Sequence, residues 1–109
     1  MSTAKELMTK THERLQAQAA TAAAIGATYK FVLSGDGGGT FLMNLKDAVG
    51  VTETDGPADC TIKMSATDYV EMMHGRANAQ ALFFQGKLQV EGDMGLALKL
   101  QNLTEILRS

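Results

Sequence analysis

Tryptophan is absent from the 109-residue chain, cysteine and proline occur once each, and tyrosine occurs twice. Each scarcity excludes something. Cys60 alone can form neither an intramolecular disulfide nor a cysteine-based zinc site, and a reducing compartment suits it. Without tryptophan, and with few tyrosines, the chain lacks the stacking platforms that single-stranded nucleic-acid binders use. Lysine and arginine are scattered and the formal charge is −2, so nothing attracts a polyphosphate backbone and no nucleic-acid partner is expected. No stretch approaches the roughly 18 to 20 apolar residues that span a bilayer, and the N-terminus has no apolar signal core. A soluble, intracellular protein is expected, placed in the cytoplasm.

What is present is an apolar composition, 45% hydrophobic against 20% charged. The length predicts one domain over 1–109, burying roughly two-thirds of its unfolded surface without disulfides or metal. Seven methionines accompany the single proline. Methionine is flexible and polarizable, which suits a surface that repacks around variable apolar partners. It is equally an ordinary core residue, so the count matters only in combination.

The spacing predicts one helix over 3–24, with Thr3 as N-cap, Glu6 as its capping-box partner and Gly26 as its end. Leu7, Met8, Leu15, Ala19, Ala22 and Ala23 form its apolar stripe. From Thr28 to Leu33 the period becomes two, with Tyr29, Phe31 and Leu33 on one face. Glycines 35 and 37 to 39 make the turn to a second strand over 40–46, through Phe41, Met43 and Leu45. A third strand is expected over 48–53 and, after Gly56-Pro57, a fourth over 59–64 with Cys60, Ile62 and Met64 on one face. Strands following each other without helical crossovers point to a largely antiparallel sheet. Ser65 and Asp68 form a capping signal for a helix carrying Tyr69, Val70 and Met73 up to Gly75. A short helix over 78–84 presents Ala79, Leu82 and Phe83, and a fifth strand follows over 87–91. Asp93 can cap a last helix with two apolar stripes, Leu96-Leu100-Leu103-Leu107 and Met94-Ala97-Leu98. Two stripes need two apolar neighbours: one the sheet, the other a further helix or a ligand between the layers.

No catalytic constellation emerges. The glycine cluster lacks the Gly-Lys-Ser/Thr ending of a phosphate loop and joins two strands, so it reads as a hairpin turn. His12 and His74 have no spaced partners for a metal, and His74 beside Gly75 fits a helix end. Cys60 on a strand has no sequence-local activator and reads as a buried thiol. Glu53, Asp55 and Asp59 read as solvated carboxylates. No cofactor, metal or catalytic residue is expected, and a stand-alone enzyme is the weakest reading. Residue chemistry alone reaches an α+β domain with an apolar interior.

The run Phe83-Phe84-Gln85-Gly86-Lys87-Leu88, followed by Gly92-Asp93-Met94-Gly95-Leu96-Ala97-Leu98-Lys99-Leu100-Gln101-Asn102-Leu103, resembles the C-terminal half of the sterol carrier protein, or non-specific lipid-transfer, family. Ala58-Asp59-Cys60-Thr61-Ile62-Lys63-Met64 and the segment from Met73-His74-Gly75-Arg76 to Ala79-Gln80 resemble it in the same order. The resemblance implies a five-stranded, mostly antiparallel sheet covered on one face by helices, with an apolar tunnel between the layers. It also implies non-covalent carriage of fatty acids, fatty acyl-CoAs, sterols or phospholipids. The tunnel wall is expected from Phe31, Leu33, Tyr69, Val70, Met73, Leu82, Phe83, Met94, Leu98 and Leu103. Gln80 matches a family glutamine close to the bound amphiphile's head group. Leu98 stands where family members can hold a polar contact, so a greasier tunnel is expected. The chain stops at Leu107-Arg108-Ser109, without the Ser-Lys-Leu-like peroxisomal ending and without the longer tail that would form a lid. Lys5, Lys10 and Arg14 on the first helix read as a solvated face, with transient membrane contact as the alternative. The alternative function is an accessory substrate-presenting or dimerisation module for a lipid-metabolising enzyme, as a partner or fused to it.

Overall fold

The apolar stripe of the N-terminal segment forms, but on two helices instead of the one expected: α1 (Ala4–Ala17) and α2 (Ala19–Ala23). The chain turns at Gln18, whose backbone (φ −122°, ψ 37°) leaves helical geometry while its N–H reaches both the Arg14 and Leu15 carbonyls. Leu7, Met8, Leu15 and Ala22 are buried, together with Ala4 and Thr11, whereas Ala19 is exposed. Gly26, at φ 67°, then turns the chain into the sheet, its N–H donating to the Leu45 carbonyl. The computed structural model describes residues 4–35, 37–96 and 99; the Thr3 cap and the stripe residues Ala97, Leu98, Leu100, Leu103 and Leu107 lie outside them.

Five strands follow: β1 (Ala27–Ser34), β2 (Gly39–Leu45), β3 (Gly50–Thr52), β4 (Cys60–Ser65) and β5 (Gln89–Gly92). Their order across the sheet is β3-β2-β1-β4-β5. Three pairings are antiparallel and one, β1 with β4, is parallel. The sheet is therefore mostly antiparallel, as expected, with a crossover inside it. Residues 53–59 make that crossover on the outer face: Asp55 pairs with Lys30 at 2.9 Å, and Gly56 lies over Leu42, where a Cβ would come within 3.1 Å of a methyl. Asp59 closes the passage by exchanging backbone and side-chain bonds with Thr28.

Strands three and five start later than expected, each because backbone groups bond to a side chain or a turn. The third is shorter because the Val49 carbonyl accepts from the Gln16 side-chain amide, not from a strand. The fifth starts late because the N–H groups of Lys87 and Leu88 turn back onto the Leu82 carbonyl. In the β1–β2 hairpin only glycine fits at 38, since a Cβ there would sit 2.2 Å from the Leu33 carbonyl oxygen.

Helix α3 (Ala66–Met73) begins as the Ser65 capping signal predicts, and α4 (Ala79–Phe84) begins after Asn78, a cap the spacing does not single out. Ser65 Oγ accepts from the Asp68 N–H at 3.0 Å, and Asn78 Oδ1 accepts from Gln80 and Ala81. Asp93 Oδ1 accepts from Gly95 and Leu96, and residues 94–96 are helical. The helices cover one face of the sheet, burying Tyr29, Phe31 and Leu33 of β1, Phe41, Met43 and Leu45 of β2, and Cys60, Ile62 and Met64 of β4.

Candidate functional site

The interior between sheet and helices is apolar in every layer. The sheet supplies alternate residues of β1, β2 and β4 because strand side chains alternate in direction. From the helical side come Leu7, Met8 and Leu15 of α1, Tyr69 and Met72 of α3, Leu82 of α4 and Leu88 of the turn after it. Phe31 meets Tyr69 edge to face, ring centres 5.8 Å apart, and Tyr29 lies 6.4 Å from Phe31.

The structure brings Phe31, Leu33, Tyr69 and Leu82 together in this core, with Val70 and Met73 packed partly buried against it. Three other expected wall or contact residues stand outside it. Phe83 is 41% exposed, Met94 is 50% exposed, and Gln80 is exposed on α4. Leu98 and Leu103 lie outside the described residues. Phe41, Met43, Ile62, Met64 and Met72 share the same layer. Their alternation or helical spacing is visible in the sequence, but which face meets the helices is not.

The polar atoms inside are few and neutral. The Tyr29 hydroxyl donates to the Leu96 carbonyl at 2.5 Å, tying the start of the last helix to β1. Burial, with Cys60 and Asp93 nearby, pushes this hydroxyl up to about 12. Burial, with Asp93 and Asp59 adding, pushes the Cys60 thiol up to about 11, so it stays protonated and a poor nucleophile. Tyr69 is pushed up to about 12 by burial and donates to Met8 Sδ at 3.3 Å. Thr11 Oγ1 is close enough to favour the ionised Tyr69 slightly, yet it is buried without a hydrogen bond of normal geometry.

The histidines are structural. His12 Nδ1 accepts from the Val51 N–H at 2.9 Å, and its ring packs where a Cβ on Gly50 would come within 2.7 Å. His74 closes α3, its N–H donating to the Val70 carbonyl. The His74 contact is local and matches the helix end expected there, whereas the His12 contact joins residues far apart in the chain, for which the sequence held no signal. Among the described residues no cluster of three or more His, Cys, Asp or Glu could hold a metal ion. Likewise no helix among them is long and apolar enough to cross a membrane.

Among the described residues, the openings that reach the surface at the α1 side include two. One, about 220 Å³, is lined by Met8, Thr9, His12, Phe41, Val51 and Glu53. It is smaller than the roughly 300 to 1,000 Å³ typical of ligand pockets. The other, about 620 Å³, is an open depression among Gln16, Ala19, Ala20, Ala23 and residues 46–49. Neither is lined by the residues expected to form the wall. Chemically, then, the described residues of the interior offer uncharged apolar burial and bring no nucleophile–base pair together.

The family model described as "SCP-2 sterol transfer family" matches residues 5–105. Sterol carrier protein 2 of Homo sapiens is 45% identical over 84 residues, covering 72% of this chain and 15% of that protein. Hydroxysteroid dehydrogenase-like protein 2 of Bos taurus is 38% identical over 86 residues, covering 76% of this chain and 21% of that protein. The chain thus spans about a fifth or less of the length of these relatives. Among solved structures, the sterol carrier protein domain 2 of Helicoverpa armigera superposes with a TM-score of 0.76 at 32% identity, covering 93% of this chain and 84% of that one. Apo sterol carrier protein 2 of Yarrowia lipolytica gives 0.82 at 23% identity, covering 95% and 91%. The Aedes aegypti sterol carrier protein 2, in complex with the C16 fatty acid palmitate, gives 0.77 at 24% identity, covering 97% and 98%. Sequence and fold agree, and the chain belongs to the SCP-2 sterol transfer family.

Proposed function

We propose that this chain is a lipid carrier and not an enzyme. It holds fatty acids, fatty acyl-CoAs, sterols or phospholipids non-covalently in an apolar tunnel between sheet and helices. The observation that carries this is the interior itself: a layer of aromatic, aliphatic and methionine side chains whose few hydroxyl and thiol groups are held neutral. Family membership and the Homo sapiens relative support it, and a protein of the same fold carries palmitate.

Each methylene buried is worth about 0.8 kcal/mol, so a sixteen-carbon chain gains roughly 13 kcal/mol gross on leaving water. A bilayer offers the same gain. Exchange between membrane and tunnel is then nearly balanced, which lets the carrier load and unload. Because that gain is non-directional and methionines such as Met43, Met64, Met72 and Met73 can repack, specificity is broad.

The proposed wall consists of Phe31, Leu33, Tyr69, Val70, Met73 and Leu82, with Phe83 and Met94 at its rim and Gln80 outside on α4, near the ligand's polar end; Leu98 and Leu103, expected to join it, lie outside the described residues. Titration with a fluorescent fatty acid, followed by competition with acyl-CoA and cholesterol, tests this. Saturable binding is the expected result, with the order of competitors naming the cargo. Absence of saturable binding by folded protein would refute it.

A second reading has its own support. Relatives several times longer, one of them hydroxysteroid dehydrogenase-like, contain a region like this one. The domain would then present lipid to an enzyme, either as its partner or as part of the same chain. Under this reading, activity of such an enzyme on a lipid substrate rises when the domain is supplied.

A further inference from the structure

Large apolar side chains are exposed at few places among the described residues: Phe83 and Phe84, side by side at the end of α4, and Met94. The two phenyl rings meet edge to face at 6.0 Å, and Phe84 is 76% exposed. Residues 83–87 are exposed without a break. They are nonetheless held firmly. Asn78 caps the helix, Gln85 and Gly86 donate to the Ala81 and Phe83 carbonyls, and Lys87 and Leu88 both donate to Leu82. Leu82 and Leu88, buried at 5% and 3%, anchor the same turn from inside. Phe84 is thus fixed outward by a turn that has no freedom to fold it back.

The charge around this turn is one-sided. Residues 72–90 contain no aspartate or glutamate. Lys87 is exposed within the turn and makes no ion pair among the described residues, while Arg76 is neutralised by Glu71. By contrast the exposed face of α1 mixes Glu6, Lys10 and Glu13 and shows no large apolar group. Apolar side chains flanked by a cation, in a stretch of chain free of acids, suit a headgroup layer, where rings enter the acyl boundary and the cation meets phosphate.

We propose that the α4 turn bearing Phe83, Phe84 and Lys87 is a docking surface for a phospholipid bilayer. Phe84 inserts, Phe83 supports it, and Lys87 favours anionic headgroups. This places a membrane contact beside the helix that contributes Leu82 to the interior.

The chain has no tryptophan, so Phe84→Trp makes a single, clean reporter. Its emission should shift to the blue on adding vesicles of phosphatidylcholine with about a quarter phosphatidylserine, and less with phosphatidylcholine alone. Phe84→Ser should reduce co-flotation with the same vesicles by about tenfold, as expected for losing most of a phenyl burial. Binding of a fluorescent fatty acid in the absence of vesicles should not change. Indole emission of the Phe84→Trp variant that is indifferent to vesicles, in a protein that still binds fatty acid, would overturn docking and leave the carrier reading standing. A blue shift that grows with protein concentration alone would assign the surface to a second copy and overturn docking as well. A vesicle-induced shift in a protein that binds no fatty acid would support docking and count only against the carrier reading.

Discussion

The two ends of the helical layer are built differently. At the α1 end, side chains stitch helix to sheet edge: His12 to the Val51 amide and Gln16 to the Val49 carbonyl, with Met8, Thr11 and Leu15 fully enclosed. At the α4 end the helix has six residues, leans on the core through Leu82 and leaves its aromatic tip in solvent. Burial and hydrogen bonds set the energy needed to open a segment, so the α1 end, with more enclosed side chains, is the costlier of the two to detach from the sheet.

The sharpest way to break this comparison is truncation at each end. Leu15→Ala, at a position 1% exposed, should cost about 2 to 5 kcal/mol through lost burial and a cavity. Phe84→Ala should cost less than about 0.5 kcal/mol as a surface change. Denaturant midpoints measured together decide this; equal losses would mean that α4 is as structural as α1. Leu82→Asp, which puts a charge into the apolar interior from the α4 side, should abolish fatty-acid uptake while far-UV dichroism keeps the sheet. Uptake retained in that folded variant would count heavily against Leu82 as wall.

Smaller effects sharpen the account of each end. Tyr29→Phe removes the hydrogen bond to Leu96 and should cost about 1 kcal/mol. His12→Ala removes the acceptor of the Val51 amide and should cost a similar amount, about 1 kcal/mol. Hydrogen exchange at Val51 should speed up in that variant, with exchange in α4 unchanged. Alkaline pH probes the interior as a whole. The thiol and both phenols are neutral in the folded state well above their unfolded values of 9.0 and 10.0. Their contribution to stability is complete below those values. It falls as pH rises toward the folded values of about 11 for Cys60 and about 12 for Tyr29 and Tyr69. Tyrosinate absorbance should therefore appear together with unfolding, and Cys60 should resist alkylation at neutral pH until the chain is denatured.

Much of this was legible in the chain. Alternation in 28–33, 40–46 and 59–64 marked three strands, and Ser65 and Asp93 marked helix starts through short-range capping chemistry. The break at Gln18 was hidden because alanine-rich sequence fits a continuous helix, and where it bends depends on the sheet it must cover. The parallel β1–β4 pairing was hidden because the crossover is made by an ordinary turn-rich segment, 53–59, that lies on the outer face. For the site, apolar character could be read but not which apolar residues face inward at a helix end. Leu82 and Phe83 are neighbours with the same preference, and only the packed turn sends one in and leaves the other half out. The roles of His12 and Gln16 depend on residues more than thirty positions away, beyond the reach of any local pattern.

The central claim is that the apolar interior takes up one lipid without covalent chemistry. Native mass spectrometry of the 11.6 kDa protein incubated with a C16 fatty acid tests it most directly. The account predicts a single adduct of the fatty acid's own mass, released on denaturation, retained by Phe84→Ser and lost in Leu82→Asp. A folded protein that stays at its bare mass, or an adduct that survives denaturation, would contradict it.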